Sequence, residues 1–151
     1  MAEVPLFVPD SNSVLRWLLP NREFSTQATS MAEDFTAGHI NLMAPYLFDA
    51  EVGGGVRKAV ANHHITYELG RQRFQVFLAL AIPLAQVNGL NSRAFENCQR
   101  FSISFLDALY VTVAEEYRAS LITADIRLIN ALSRFPYKMF LADYQSPMSG
   151  V

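Results

Sequence analysis

Apolar residues along this chain fall into two rhythms. Short runs at Pro5-Leu6-Phe7-Val8, Ile40–Ala44, Ile82–Val87, Leu121-Ile122-Thr123 and Tyr137–Leu141 predict strands. Longer stretches with helical spacing separate them. The polar run Pro9-Asp10-Ser11-Asn12-Ser13 can cap a helix over Val14–Leu18, which Pro20 ends. A second helix is predicted over Ser25–Thr36, with Ala28, Met31, Ala32 and Phe35 on one face and Gly38 closing it. Pro45 opens a third, and Thr66–Ala79, Asn91–Phe101, Phe105–Arg118 (begun by Ser104) and Arg127–Arg134 follow. Strands that alternate with helices predict an α/β fold: a mostly parallel central sheet of about five strands, covered on both faces.

The helix after Pro45 contains Gly53-Gly54-Gly55. A glycine inside a helix costs about 1 kcal/mol relative to alanine, so something must offset three of them. Close packing against a neighbouring helix is the favoured reading, and approach of a ligand backbone beside Glu51 is the competing one. Trp17 and the Phe101, Phe105, Leu109 and Val113 stripe are expected in the core.

With 151 residues, 51% hydrophobic and 17% charged, the chain has the material for one packed domain. The expected domain is 1–143, and residues 144–151 are expected to be a frayed C-terminal tail. A net charge of −2 means that any nucleic-acid contact must use a local basic patch. Arg57, Lys58, Arg71, Arg73, Arg93 and Arg100 could line such a path or be covered by an acidic partner segment. Cys98 is the one cysteine, so no intramolecular disulfide can form and a reducing compartment is expected. The longest apolar run, Val76–Val87, is broken by Pro83 and falls short of the roughly 20 residues a membrane helix needs. No membrane contact and a cytoplasmic location are therefore expected.

Ligands of open α/β sheets gather outside the carboxyl ends of the strands. Asp10 and Asp125 lie just past predicted strand ends, and Glu51 and Asp107 lie in the first turns of the helices begun by Pro45 and Ser104. Each alone could be ordinary helix-start charge. Together they are harder to dismiss, because converging carboxylates cannot all stay ionised without a cation. Mg²⁺ or Mn²⁺ accepts carboxylates and water and bridges to phosphate oxygens, which makes phosphodiester hydrolysis the natural reaction class.

Four blocks carry a family resemblance: Val8-Pro9-Asp10-Ser11-Asn12-Ser13-Val14-Leu15-Arg16-Trp17, Ala44-Pro45-Tyr46-Leu47-Phe48-Asp49-Ala50-Glu51-Val52, Ser104-Phe105-Leu106-Asp107-Ala108-Leu109-Tyr110-Val111 and Leu121-Ile122-Thr123-Ala124-Asp125-Ile126-Arg127-Leu128. In this order they resemble PIN domains, and most closely the VapC-like toxins of prokaryotic toxin–antitoxin pairs. The resemblance runs from Val4 to about Leu141 and implies a three-layer α/β/α sandwich. It implies that Asp10, Glu51, Asp107 and Asp125 form an acidic quartet. Asp10 and Asp107 would bind Mg²⁺ or Mn²⁺ most directly, Asp125 would complete the site, and Glu51 would hold the attacking water. Thr123 matches the hydroxyl residue near the quartet, and Ser11 and Asn12 could contact metal-bound water or phosphate, or simply cap the helix. The activity implied is that of a metal-dependent RNA endonuclease, acting as a homodimer held by a cognate antitoxin. The glycine triplet departs from the bulkier residues expected there.

The competing readings are a housekeeping PIN nuclease of RNA maturation or decay, and a catalytically idle PIN-like binding module. The intact quartet weakens the second. A haloacid-dehalogenase-type phosphatase would want an acid where Asn12 stands, and a response-regulator receiver would want an acidic pair where Pro9-Asp10 stands. His63-His64, adjacent in sequence, make a poor metal pair and are expected at a helix-end surface.

Overall fold

The first strand, β1 (Leu6–Pro9), occupies an interior position of a parallel sheet, in a computed structural model that describes residues 3–149. α1 (Ser11–Leu18) and α2 (Ser25–Thr36) lead to β2 (Asn41–Leu42). α3 (Phe48–Ala61), α4 (Tyr67–Ala79), α5 (Leu90–Phe101) and α6 (Phe105–Tyr117) precede β3 (Ser120–Thr123). α7 (Ile126–Ala131), β4 (Lys138–Phe140) and a 3₁₀ turn at Leu141–Asp143 complete the fold. The strand order is β2-β1-β3-β4, and every pairing is parallel. Parallel neighbours need crossovers, and right-handed ones place helices on both faces when the chain moves first one way from β1 and then the other. The α/β/α architecture expected of the sequence is the one observed.

The sheet has four strands rather than about five. The segment Ile82–Val87 meets β2's extension through one parallel bridge, Ala44 to Leu84, in which the Ala44 amide donates to Pro83 O at 3.1 Å and the Ala85 amide to Ala44 O at 2.8 Å. Pro83 carries no N–H, so it cannot donate to Leu42 O and lengthen this ladder backward, and Pro45, whose nitrogen faces β1, cannot extend the β1–β2 ladder. The same prolines explain why β2 is shorter than the apolar run Ile40–Ala44.

Helix ends follow the polar caps: Thr66 Oγ1 accepts from the Leu69 amide at 3.2 Å and Ser104 Oγ from the Asp107 amide at 3.1 Å. α6 is buried from Ala108 to Ala114, and its Leu109 and Val113 lie in one core with Val8, Leu121 and Ile122, all fully buried. Trp17 is half-buried against that core, while Phe105, at the first helical position and ahead of the buried part of α6, is exposed. The packing reading of the glycines holds. A Cβ on Gly53 would stand 3.0 Å from the Phe74 ring of α4, and one on Gly55 would run into the Leu15 side chain of α1. Gly54 faces open space.

Tyr144, expected in a loose tail, is buried, and its phenol donates to Asp34 Oδ2 at 2.6 Å. Ser146 Oγ donates to Asp34 Oδ1 at 2.8 Å, with His39 Nδ1 at 3.4 Å from the same oxygen. Residues 1, 2, 150 and 151 of the expected domain and tail lie outside the described residues. Among the described residues no helix is long and apolar enough to cross a membrane.

Candidate active site

β1 ends where β3 can reach across it: the Asp10 amide donates to Ile122 O at 3.0 Å. The chain then turns into α1, and Asp10 is the capping residue, its Oδ1 accepting from both the Ser13 amide and Ser13 Oγ at 2.8 Å. Thr123, the last and fully buried residue of β3, lies beside the Asp10 carboxylate, which it acts to lower, and its Oγ1 accepts the Asp125 amide at 3.0 Å. Adjacent parallel strands thus deliver Asp10 and Asp125 at the same sheet edge, with Thr123 between them.

Asp107 enters from the first turn of α6, aligned by the Ser104 cap. It is the hub of the acids. Its charge bears on Asp10 and on Glu51, and the charge of Asp125 bears on it. Glu51, in the first turns of α3, accepts a hydrogen bond at Oε1 from the Tyr110 phenol at 2.8 Å. Tyr110 stands one helical turn beyond Asp107, hence on the same face of α6.

Burial is the main cause of the electrostatic state of these groups. Asp10 is raised to about 6, first by desolvation and least by Asp107, against the opposing bonds from Thr123 and Ser13. Glu51 and Asp107 are also raised, burial first and a neighbouring carboxylate after it. The Tyr110 phenol is pushed far above its ordinary value by burial and by the Glu51 charge, so it stays a proton donor.

Among the described residues, no basic side chain forms an ion pair with Asp10, Glu51 or Asp107; Asp125 has only Arg127, at 3.8 Å and almost fully exposed. Of the four acids expected from the sequence, the fold brings Asp10, Glu51 and Asp125 each within charge range of Asp107. Thr123 sits inside the site. Ser11 is half-buried and Asn12 exposed on the first turn of α1. Capping of α1 belongs to Asp10 and Ser13 rather than to Ser11 or Asn12. Tyr110 and Ser13 had no assigned role in the site. The signal for Tyr110 was its spacing of three from Asp107.

The chain is 36% identical over 87 residues to a VapC ribonuclease of Mycobacterium bovis, a match covering 58% of this chain and 67% of that protein. Ribonuclease VapC9 of Mycobacterium tuberculosis matches with the same figures. The chain belongs to the VapC ribonuclease family. Another VapC protein, Ribonuclease VapC1 of Mycobacterium tuberculosis, is 36% identical over 92 residues, 58% of this chain and 65% of its own. Among solved structures, a chain of a toxin–antitoxin complex from Klebsiella pneumoniae shares the fold, with a TM-score of 0.62 and 18% identity over 89% of this VapC chain and 97% of that one. No family model matches the chain.

The donor set of this VapC chain suits a hard divalent cation. It is all oxygen, Asp10, Glu51 and Asp107 are raised first by burial and last by a neighbouring carboxylate, and only Asp125 has a basic neighbour, the exposed Arg127. Among the described residues no three acidic, His or Cys side chains converge into a ready-made metal cage.

Proposed function

We propose that this VapC protein is a Mg²⁺- or Mn²⁺-dependent endoribonuclease whose centre is Asp10, Asp107, Asp125 and Glu51. The observation that carries the reading is a set of acids at one strand-end crevice, Asp10 buried and Glu51 and Asp107 half-buried, all three raised first by burial and with no basic partner. Asp10 and Asp107 would hold the ion, with Asp125 completing the site and Glu51 reaching it through water. When bound, the ion supplies Lewis acidity toward the phosphoryl oxygens and acidifies water.

The chain's own groups do the rest. Ser13 and Thr123 fix the Asp10 carboxylate, and Ser104 starts the helix that aims Asp107. Tyr110 occupies Glu51 Oε1, which leaves Oε2 to take the proton of the attacking water. Water oxygen bonds to phosphorus, one P–O ester bond breaks, and the leaving oxygen takes up a proton.

The toxin role follows from the family. A cognate antitoxin is the expected partner and RNA the substrate, in a cytoplasmic homodimer; the Klebsiella pneumoniae neighbour, itself from a toxin–antitoxin complex, supports the partner. The decisive test is cleavage of a mixed RNA pool with Mg²⁺, Mn²⁺ or EDTA, beside Asp10→Asn and Asp107→Asn. Cleavage that needs the metal and both acids is expected. Cleavage in EDTA, or undiminished in either variant, would overturn the assignment.

A further inference from the structure

The six basic residues that could serve a phosphate backbone separate by environment. Arg93 pairs with Glu116 at 2.8 Å and with Glu115 at 3.4 Å, and Arg100 with Glu115 at 3.3 Å, so this face is electrically quenched. Arg57 and Arg71 border a largely apolar groove between α3 and α4. Lys58 faces a different feature, a cleft between α1 and α3. Two adjoining hollows of about 310 and 400 Å³ make up this cleft, sharing Leu19, Arg22, Ala59 and His64. One end is Asn12, two residues beyond Asp10; Arg22 and His64 stand where the two hollows join, and Pro20, Asn21 and Ile65 line the far one. No Asp or Glu lines either hollow, in a chain with 14 acids against 12 basic residues. Among the described residues Arg22, Lys58 and His64 form no ion pair, and all three are exposed.

We propose that this cleft is the path of the substrate strand leaving the catalytic centre, with Arg22 and Lys58 each neutralising a backbone phosphate and Asn12 and Asn62 donating to the strand between them. The inference rests on the RNA-cleaving reading above and deepens it. Geometry favours it. The helix α3 carries Glu51 at the centre and Lys58 seven residues on, a rise of about 10 Å along the axis. α1 lies against α3 through the Leu15–Gly55 contact, and the absent Gly55 side chain keeps the floor of the cleft low. Charge complementarity selects the occupant. A phosphate backbone needs spaced cations and amide donors without acids, whereas an apolar helix would need the α3–α4 groove instead.

The test is fluorescence anisotropy of a labelled single-stranded RNA pool in EDTA over a salt series, together with Mg²⁺-dependent cleavage of the same pool. The wild type is compared with the Arg22→Gln/Lys58→Gln double variant and with Arg71→Gln/Arg73→Gln as a control outside the cleft. Circular dichroism and thermal melting check that each variant is folded. The cleft variant is expected to bind about 10-fold more weakly at low salt, with a log Kd against log salt slope shallower by about 1.4, the loss of two single-strand phosphate contacts. The control variant is expected to match the wild type. A folded cleft variant that keeps wild-type affinity and slope, while the wild type binds and cleaves, would overturn the path alone. Weakened binding of an acidic peptide with RNA binding intact would also overturn it, and give the cleft to a protein partner. A wild type that neither binds nor cleaves RNA would remove both this inference and the reading it rests on.

Discussion

The Tyr110 phenol donates to Glu51 Oε1 across 2.8 Å, joining the helix that carries Asp107 to the helix that carries Glu51. The bond sets which oxygen of Glu51 is free, and it opposes the burial that raises this carboxyl. The ring itself packs edge-on against Phe48, centroids 6.3 Å apart, so Tyr110→Phe removes the bond and keeps the wedge.

Tyr110→Phe is expected to raise the Glu51 pKa, because burial and Asp107 then act without the opposing bond. A proton-accepting carboxylate that is protonated at higher pH loses activity from the acid side. The acid limb of the pH–rate profile should move upward, with a larger deficit near pH 6 than near pH 8 and a loss of about 10-fold at the lower pH. A profile of reduced height and unchanged inflection would assign Tyr110 to packing alone.

Asp10→Asn is expected to abolish metal-dependent cleavage and to stabilise the metal-free fold. An Asp raised to about 6 favours folding fully below its unfolded value, near 3.9, and loses that advantage as pH rises through the folded value. In EDTA the variant should melt near the wild type at pH 4 and well above it at pH 8, by up to roughly 3 kcal/mol. Mg²⁺ should narrow the gap by stabilising only the wild type. Equal melting temperatures at pH 8 in EDTA would refute the strain ascribed to Asp10.

Asp34 reverses the sign. Burial raises its carboxyl, but Tyr144, Ser146 and His39 together outweigh it and hold it below the ordinary value. Its contribution is present above the unfolded pKa and lost as pH falls through the folded one. Tyr144→Phe should therefore cost about 1–3 kcal/mol at pH 7 and much less near pH 3, read by urea unfolding at both. A cost that does not change with pH would mean the clasp works through the packing of the ring and not through Asp34.

The glycine triplet should separate cleanly. Gly54→Ala meets open space within a helix and should stabilise by about 1 kcal/mol. Gly55→Ala runs into Leu15 and should destabilise, with Leu15→Ala relieving the clash. Thermal melting of the three variants decides it. A stabilising Gly55→Ala in the wild-type background would show that Leu15 can rotate away.

The element types, Ser104 as the start of α6, and the position of the four acids and Thr123 at strand ends and helix starts were legible in the sequence. Periodicity, caps and strand-end carboxylates are local signals that a chain carries in consecutive residues. The strand count differs because an apolar run cannot show that Pro83 lacks the N–H with which the Ala44–Leu84 bridge would extend into a ladder. Tyr144 was misread because its partner, Asp34, is 110 residues away.

What the sequence determined by itself was which groups this protein has and in what order they follow strands and helices. What only the tertiary structure decided was their company: Tyr110 on Glu51, Thr123 between Asp10 and Asp125, Arg93 quenched by Glu115 and Glu116, Lys58 left facing a cleft without acids. The reason is physical. Burial and charge neighbours set a group's protonation and its freedom to bind, and both depend on residues from elements that meet only when parallel strands and their crossover helices close around one core.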